Sequence, residues 1–139
     1  LGFFGAVKSC FAKYATFSGR ASRAEFWYFG LFMALAHIVA TIADAAIGIA
    51  FESSPGGDFE NEGWIDFIVS AIVLLPSASV QVRRLHDRDR SGSWWWLFLL
   101  PVIGWIWIIV WSARKGTEGP NRFGPDPLAP AAKWPIAQL

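Results

Sequence analysis

The sequence predicts an all-α membrane protein, with three transmembrane helices preceded by an N-terminal amphipathic interfacial helix and followed by an irregular Gly/Pro-rich C-terminal tail. Composition is the first observation: 54% of residues are hydrophobic and 17% charged, with nine Trp and twelve Phe and a mean hydropathy of +0.37, which is more apolar than a soluble domain of this length. The second is that the apolar residues fall into three runs of roughly 20 residues or more, each able at about 1.5 Å per residue to cross a hydrocarbon core of about 30 Å. The third is charge segregation. Lys and Arg precede the first run, separate the second from the third and follow the third, whereas the first and second are joined by carboxylates alone. The net charge of +1 says less than this pattern. The length allows one small polytopic domain, residues 1–127, with 128–139 as a flexible C-terminal tail.

Residues 1–17 place Phe3, Phe4, Val7, Cys10, Phe11, Tyr14 and Phe17 at helical spacing, with Lys8 and Lys13 elsewhere on the wheel. Two placements fit: flat in the interface over anionic head groups, or packed on the bundle as an ordinary amphipathic helix. Ser22 and Glu25 then match a Ser-x-x-Glu capping box, which starts the first span over 23–51, and Trp27 and Tyr28 stand where interfacial anchors belong. Inside that span Gly30, Ala34, His37, Thr41, Asp44 and Gly48 share one stripe, which should face protein. The loop from Glu52 to Gly63 carries Glu52, Asp58, Glu60 and Glu62 without a Lys or Arg, so it is external and solvated.

The second helix covers 64–85, with Asp66, Ser70, Val73, Ser77, Gln81 and Arg84 on one face. Paired with the first as an antiparallel hairpin about Gly57, it sets Asp44 near Ser70, His37 near Ser77 and Glu25 near the turn at Arg84 to Arg90. Pro76 removes one backbone hydrogen bond and should kink it. The chain is organised around the stretch Arg83-Arg84-Leu85-His86-Asp87-Arg88-Asp89-Arg90-Ser91-Gly92-Ser93, a turn at head-group level whose arginines mark it as cytoplasmic, and with it the N-terminus.

The third run, 94–113, has Trp94, Trp95 and Trp96 at one interface and Trp111 at the other, interrupted by Pro101-Val102-Ile103-Gly104. A kinked span is preferred to a re-entrant hairpin, because each half alone is too short to enter the bilayer and return without other protein to cover its ends. That choice leaves Arg114, Lys115 and Arg122 external, against the charge rule; the hairpin would return them to the cytoplasm. The Gly116 to Pro127 segment holds too much Gly and Pro for a helix and predicts a defined loop on the bundle end.

Three segments taken together resemble the hallmark motifs of a bacterial inner-membrane family catalogued as domain of unknown function 805. They are Ser18-Gly19-Arg20-Ala21-Ser22-Arg23-Ala24-Glu25-Phe26-Trp27, then Arg83-Arg84-Leu85-His86-Asp87 with Ser91-Gly92-Ser93-Trp94, then Gly116-Thr117 through Asn121-Arg122-Phe123-Gly124-Pro125-Asp126-Pro127. The resemblance runs from about Phe11 to Pro127. It implies a small polytopic protein of the bacterial cytoplasmic membrane, and it carries over no catalytic residue.

The residues themselves offer three function classes. His86 and Asp87 with Ser91 invite a catalytic triad, but sequence neighbours do not face each other on a helix and no oxyanion feature accompanies them. A clamp is the stronger use of these charges: Glu25 and Asp87 pair with Arg20, Arg23, Arg83 or Arg84 and fasten the cytoplasmic helix ends, with His86, Asn121 and Arg122 beside them. His37 and Asp44, ionisable at membrane depth, suggest a proton or ion relay, or for His37 an axial ligand to a haem or chlorophyll-type pigment, weighed against plain interhelical hydrogen bonding. The single cysteine, Cys10, excludes an internal disulfide and a Cys-rich zinc site. Membrane orientation and anionic lipids account for the arginines without nucleic acid. The expected function is therefore non-catalytic, without a cofactor or metal. It is that of an interaction or accessory subunit on a larger respiratory, photosynthetic or transport complex, or in a homo-oligomer. Trp94, Trp95, Trp96, Trp105, Trp107 and Trp111 would meet the partner or lipid.

Overall fold

The computed structural model describes residues 1–52 and 63–129, all helix and loop, with no strand among them. The expected external loop and the flexible end with Trp134 fall on 53–62 and 130–139, outside the described residues. Four α-helices occur in order, α1 Phe3–Ala12, α2 Arg23–Glu52, α3 Trp64–Asp87 and α4 Ile103–Ala113, with a 3₁₀ helix at Gly92–Leu99 before α4.

Helix α1 is shorter than expected and packs on the bundle. Ala6 and Cys10 are buried, and the Phe11 ring meets Phe29 and Phe32 edge-on, each at 5.7 Å. Its far side leaves Phe4 84% exposed, an apolar surface for lipid. The chain leaves the helix at Lys13, and Ser79 of α3 brings its hydroxyl within 3.0 Å of the Lys13 carbonyl and 2.6 Å of the Thr16 carbonyl. Both carbonyls lie in the turn that follows α1, where the Lys13 oxygen also accepts the Thr16 N–H at 3.0 Å, and the hydroxyl proton serves one of them at a time.

Helix α2 starts at Arg23 as the capping residues require, and Ser22 Oγ accepts the Glu25 N–H at 3.2 Å. The reciprocal half of the box is absent, because Glu25 turns its carboxylate to Arg83 instead. The buried positions Glu25, Phe29, Ala40 and Asp44 correct the predicted stripe: Ala34 and Thr41 are exposed. The reason is α1. Its Phe11 draws Phe29 and Phe32 inward and rotates α2 away from the face that small residues alone would select.

The register against α3 also differs from the hairpin estimate. Asp44 accepts the N–H groups of Ile65 and Asp66 at 3.0 and 2.9 Å, serving donors that the first turn of a helix leaves free. His37 therefore faces Asp66 at 2.7 Å, not Ser77, whose hydroxyl donates to its own Leu74 carbonyl. The expected face of α3 holds, with Val73, Gln81 and Arg84 buried.

The third span is corrected. Residues 94–113 fold back on themselves as a hairpin, and only α2 and α3 are long and apolar enough to cross a membrane among the described residues. Only 11% and 28% of their apolar windows are buried in the molecule, unlike the core helices of a soluble globule. The reversal lies at Pro101 and at Val102, which takes φ 65°, and the arms then run so close that a Cβ on Gly104 would sit 1.8 Å from the Leu97 carbonyl oxygen. The tip satisfies its own backbone: Leu100 N–H donates to the Leu97 carbonyl, and Gly104 N–H to the Leu100 carbonyl. The Trp105 indole donates to the Phe98 carbonyl at 3.1 Å. This removes the objection that other protein must cover the ends. Trp94 and Trp111, expected at opposite interfaces, have rings 5.4 Å apart.

Candidate functional site

Because the hairpin returns, the three charged segments of the sequence meet at one end of the molecule. The last turn of α3 is the hub. Far from lying at the surface of a turn, Arg83 and Arg84 are 1% exposed, and His86 and Asp87 are buried beside them. The turn proper is only Arg88 to Ser91.

Two carboxylates anchor the cluster. Asp87 accepts from Arg20 Nε at 2.9 Å on one oxygen and pairs with Arg84 Nη1 on the other. Glu25 pairs with Arg83 Nη1 at 2.8 Å, accepts from the Ser9 hydroxyl at 3.1 Å and lies 3.8 Å from Lys13 Nζ. Arginine is the residue for this task, since its planar fork of donors can meet a carboxylate and several carbonyls together. Arg84 uses the whole fork: Nε donates to the Ser112 carbonyl at 3.0 Å, Nη1 also reaches the Ala21 carbonyl, and Nη2 donates to the Arg114 carbonyl. Arg20 does the same for the tail, with Nη1 on the Gly119 carbonyl and Nη2 on the Thr117 carbonyl, each at 2.6 Å. Arg83 differs, for its Nε and Nη2 are buried and find no hydrogen-bond partner among the described residues.

The tail is clasped from its own side as well. Thr117 donates its N–H and its hydroxyl to the Asp87 carbonyl at 2.8 and 2.7 Å, and Asn121 Nδ2 donates to the His86 carbonyl at 2.9 Å. Gly116 is required here: a Cβ would stand 2.0 Å from Asp87 Oδ2. The His86 ring lies flat on Phe123, centroids 3.9 Å apart and planes within 3°, and its Nδ1 meets the Gly19 carbonyl at 3.1 Å. Arg122 covers the other part of this stack, 4.7 Å from the Phe123 centroid, and holds Asp89 at 3.1 Å.

Of the residues expected here, Arg20, Glu25, Arg83, Arg84, His86, Asp87, Asn121 and Arg122 do come together. Arg23 stays at the rim: it is exposed and lines the small cavity beside Arg84 and Asp87, but it ion-pairs with none of the described carboxylates. The triad geometry is not assembled: Asp87 is turned to two arginines, and Ser91 Oγ accepts from Ser93 N–H. Ser9, Cys10, Ser112 and Thr117 belong to the cluster or its edge, and the sequence reasoning missed them. Only Thr117 carries a signal, through its place in the third motif. Burial, reinforced by the Glu25 charge, pushes the Cys10 thiol up to about 12. At the rim the Lys115 ammonium holds the exposed Glu118 carboxyl below its usual range. Among the described residues no group of three His, Cys, Asp or Glu is placed to hold a metal ion.

The six tryptophans of the hairpin stand apart from this end-cluster. Trp94, Trp95, Trp96, Trp105 and Trp107 are exposed, while Trp111 is half-buried under Trp94 and Trp107 with the Arg90 guanidinium over its ring at 5.0 Å.

Comparison with known proteins covers nearly the same stretch. A family described as protein of unknown function (DUF805) matches residues 14–125, the whole of the clasp except Ser9, Cys10 and Lys13. Inner membrane protein YhaH of Escherichia coli strain K12 is 46% identical over 115 residues, covering 83% of this chain and 89% of that protein. Inner membrane protein YhaI of the same strain is 34% identical over 119 residues, covering 86% and 92%. The uncharacterized protein YiiR of that strain is 28% identical over 142 residues, covering 80% and 85%. No solved structure matches.

Proposed function

This chain belongs to the family of proteins of unknown function DUF805, and from that premise we propose a small, non-catalytic integral protein of the bacterial inner membrane that works by binding other membrane proteins. In this reading it is an accessory subunit packed on a larger respiratory, photosynthetic or transport assembly. The observation that carries it is where the reactive groups are. The arginines, carboxylates and histidine at the hub are held by one another and by backbone carbonyls, and the cavity at Asp87 measures about 30 Å³. That is room for a water, against the several hundred Å³ of a small-molecule site. The larger clefts open on the apolar sides instead.

Orientation follows from charge. No Lys or Arg lies between Ala24 and Val82, and Lys13, Arg20, Arg83, Arg84, Arg88, Arg114 and Arg122 gather at the clasped end once the hairpin has returned the tail. By the positive-inside rule that end is cytoplasmic, with the tail up to Ala129 beside it. A reporter that fluoresces only in the cytoplasm, fused after Leu139, should glow; a dark fusion that is active as a periplasmic enzyme overturns the orientation. For the function itself, the protein is extracted in native lipid discs. A stoichiometric larger complex, lost on substitution of Trp96 and Trp107 by Ala, is the expected result, and a lone chain overturns it.

A second reading has one observation behind it. His37 Nδ1 and Asp66 Oδ1 meet at 2.7 Å on the two spans with side chains 38% and 40% exposed, and Asp44 bonds the backbone of Asp66. Ionisable groups at membrane depth serve proton or ion movement often enough to test. Under this reading His37→Ala abolishes proton flux in proteoliposomes, whereas under the first it leaves complex formation unchanged.

A further inference from the structure

Arg23 is the cation the clasp leaves over, and it stands at the rim of a cleft of about 420 Å³ lined by Arg23, Ala24, Trp27, Tyr28 and Ala113. The cleft lies where α2 begins and where α4 ends. Its floor is two alanines, one from each helix, and its wall is two aromatic side chains, 46% and 38% exposed, one turn deeper along α2 than the guanidinium. Arg20, Arg83 and Arg84 each pair with a carboxylate; Arg23 has none within ion-pair distance among the described residues, although Asp87, Glu118 and Asp126 line the small cavity on its other side. The N–H groups of the helix start are a lesser matter, since Ser22 already takes one of them.

A cation at head-group level, amphipathic rings below it and an apolar floor continuous with the span match an amphiphile whose head is anionic. We propose that this cleft binds the phosphodiester head group of an anionic phospholipid of the phosphatidylglycerol class. Arg23 pairs with the phosphate, Trp27 and Tyr28 lie along the glycerol and the first methylenes, and the acyl chains run down the open face of α2. A soluble phosphate would leave the second half of the site unused, because the aromatic faces and the alanine floor need an apolar partner that a small ion does not bring. The inference rests on the clasped end lying at a membrane surface.

The test is native mass spectrometry of the full chain released from detergent with phosphatidylglycerol, phosphatidylethanolamine or phosphatidylcholine added. Wild type should retain phosphatidylglycerol in preference to the other two, and Arg23→Gln should lower that retention about tenfold, the loss of one charge-assisted contact. Arg23→Lys should keep most of it, since a point charge suffices for a phosphate, and Trp27→Ala should weaken all three lipids. Lys8→Gln removes another exposed cation and should change nothing. The proposal is overturned if Arg23→Gln binds as wild type, if Lys8→Gln loses as much, if the three lipids bind alike, or if glycerol phosphate alone competes at equal concentration. Whether the chain resists extraction from membranes by alkaline carbonate is read separately. Failure there strikes the membrane reading, and failure of the lipid assay in a chain that stays in the membrane strikes only this site.

Discussion

The Tyr14 hydroxyl donates to the carbonyl oxygen of Ile72 at 2.6 Å, and Ile72 is the residue whose helical acceptor Pro76 leaves without a donor. Proline in a span is tolerated when something else satisfies the freed carbonyl, and here α1 supplies it from a residue distant in sequence. Tyr14→Phe should therefore cost about 1 kcal/mol of stability, read from thermal unfolding in detergent. In a Pro76→Ala background, where the substituted residue again carries an N–H, the same change should cost clearly less. Additive effects would show that the two groups do not share the carbonyl.

Gly116 passes so close to Asp87 that no side chain fits. Gly116→Ala should push the tail off the hub and lower stability by about 2 kcal/mol or more, in the range of overpacked sites. Limited proteolysis should then cut between Arg114 and Gly124 under conditions that leave wild type whole. Gly19→Ala meets open space and carries only the strain of its positive φ of 81°, so it should be the milder of the two. Equal protection of the tail in both variants would contradict the close approach.

How much of this could be read from the chain depended on the range of the interaction. The α2 start at Arg23, the span of α3 and the gathering of Arg20, Glu25, Arg83, Arg84 and Asp87 were legible, because capping chemistry is local and buried charges must find partners. The hairpin was not. Its signal, Pro101 with Gly104, is shared by kinked spans, and the deciding facts are long-range: Arg84 reaching the Ser112 and Arg114 carbonyls, and Trp94 meeting Trp111. The rotation of α2 was hidden for a like reason, since the small-residue stripe describes two helices in contact and α1 makes a third.

Cys10 should behave as an inert thiol. Its folded value of about 12 stands above the ordinary 9.0. The folded state thus holds this proton more tightly than the unfolded chain, and the corresponding stability is complete below pH 9 and declines as pH rises toward 12. Alkylation by iodoacetamide at neutral pH should need denaturant. The stability of Cys10→Ala relative to wild type should improve only above pH 9. Rapid labelling of the native protein would show that α1 does not cover the thiol.

Asp87 balances two guanidiniums, Arg20 and Arg84, inside the clasp. Asp87→Asn keeps the shape and removes the charge, leaving both cations buried beside a neutral amide, and it should cost about 3–5 kcal/mol as for other broken buried pairs. Asp89→Asn is the matched control. Its partner Arg122 is 60% exposed at the side chain, so the loss should stay within about 1 kcal/mol. Comparable melting temperatures for the two variants would mean that Asp87 is hydrated.

Arg83 and Arg84 are adjacent, equally buried and opposite in what they ask of their side chains. Arg84 engages Nε, Nη1 and Nη2 across Ala21, Asp87, Ser112 and Arg114, contacts that tie the start of α2 and the end of α4 to α3. Lysine brings one ammonium and cannot span those directions, so Arg84→Lys should lose about 2–3 kcal/mol and free the hairpin end. Arg83 engages Nη1 alone and carries two buried donors without a partner among the described residues. An ammonium in its place keeps the Glu25 pair, gives up no other hydrogen bond and leaves no more N–H donors unpaired than the guanidinium does, so Arg83→Lys should be within about 1 kcal/mol of wild type. Thermal unfolding of the two single variants side by side checks this. The idea fails if Arg83→Lys is as damaging as Arg84→Lys, because the guanidinium of Arg83 would then be bonded through groups, such as a buried water, that make its whole fork necessary.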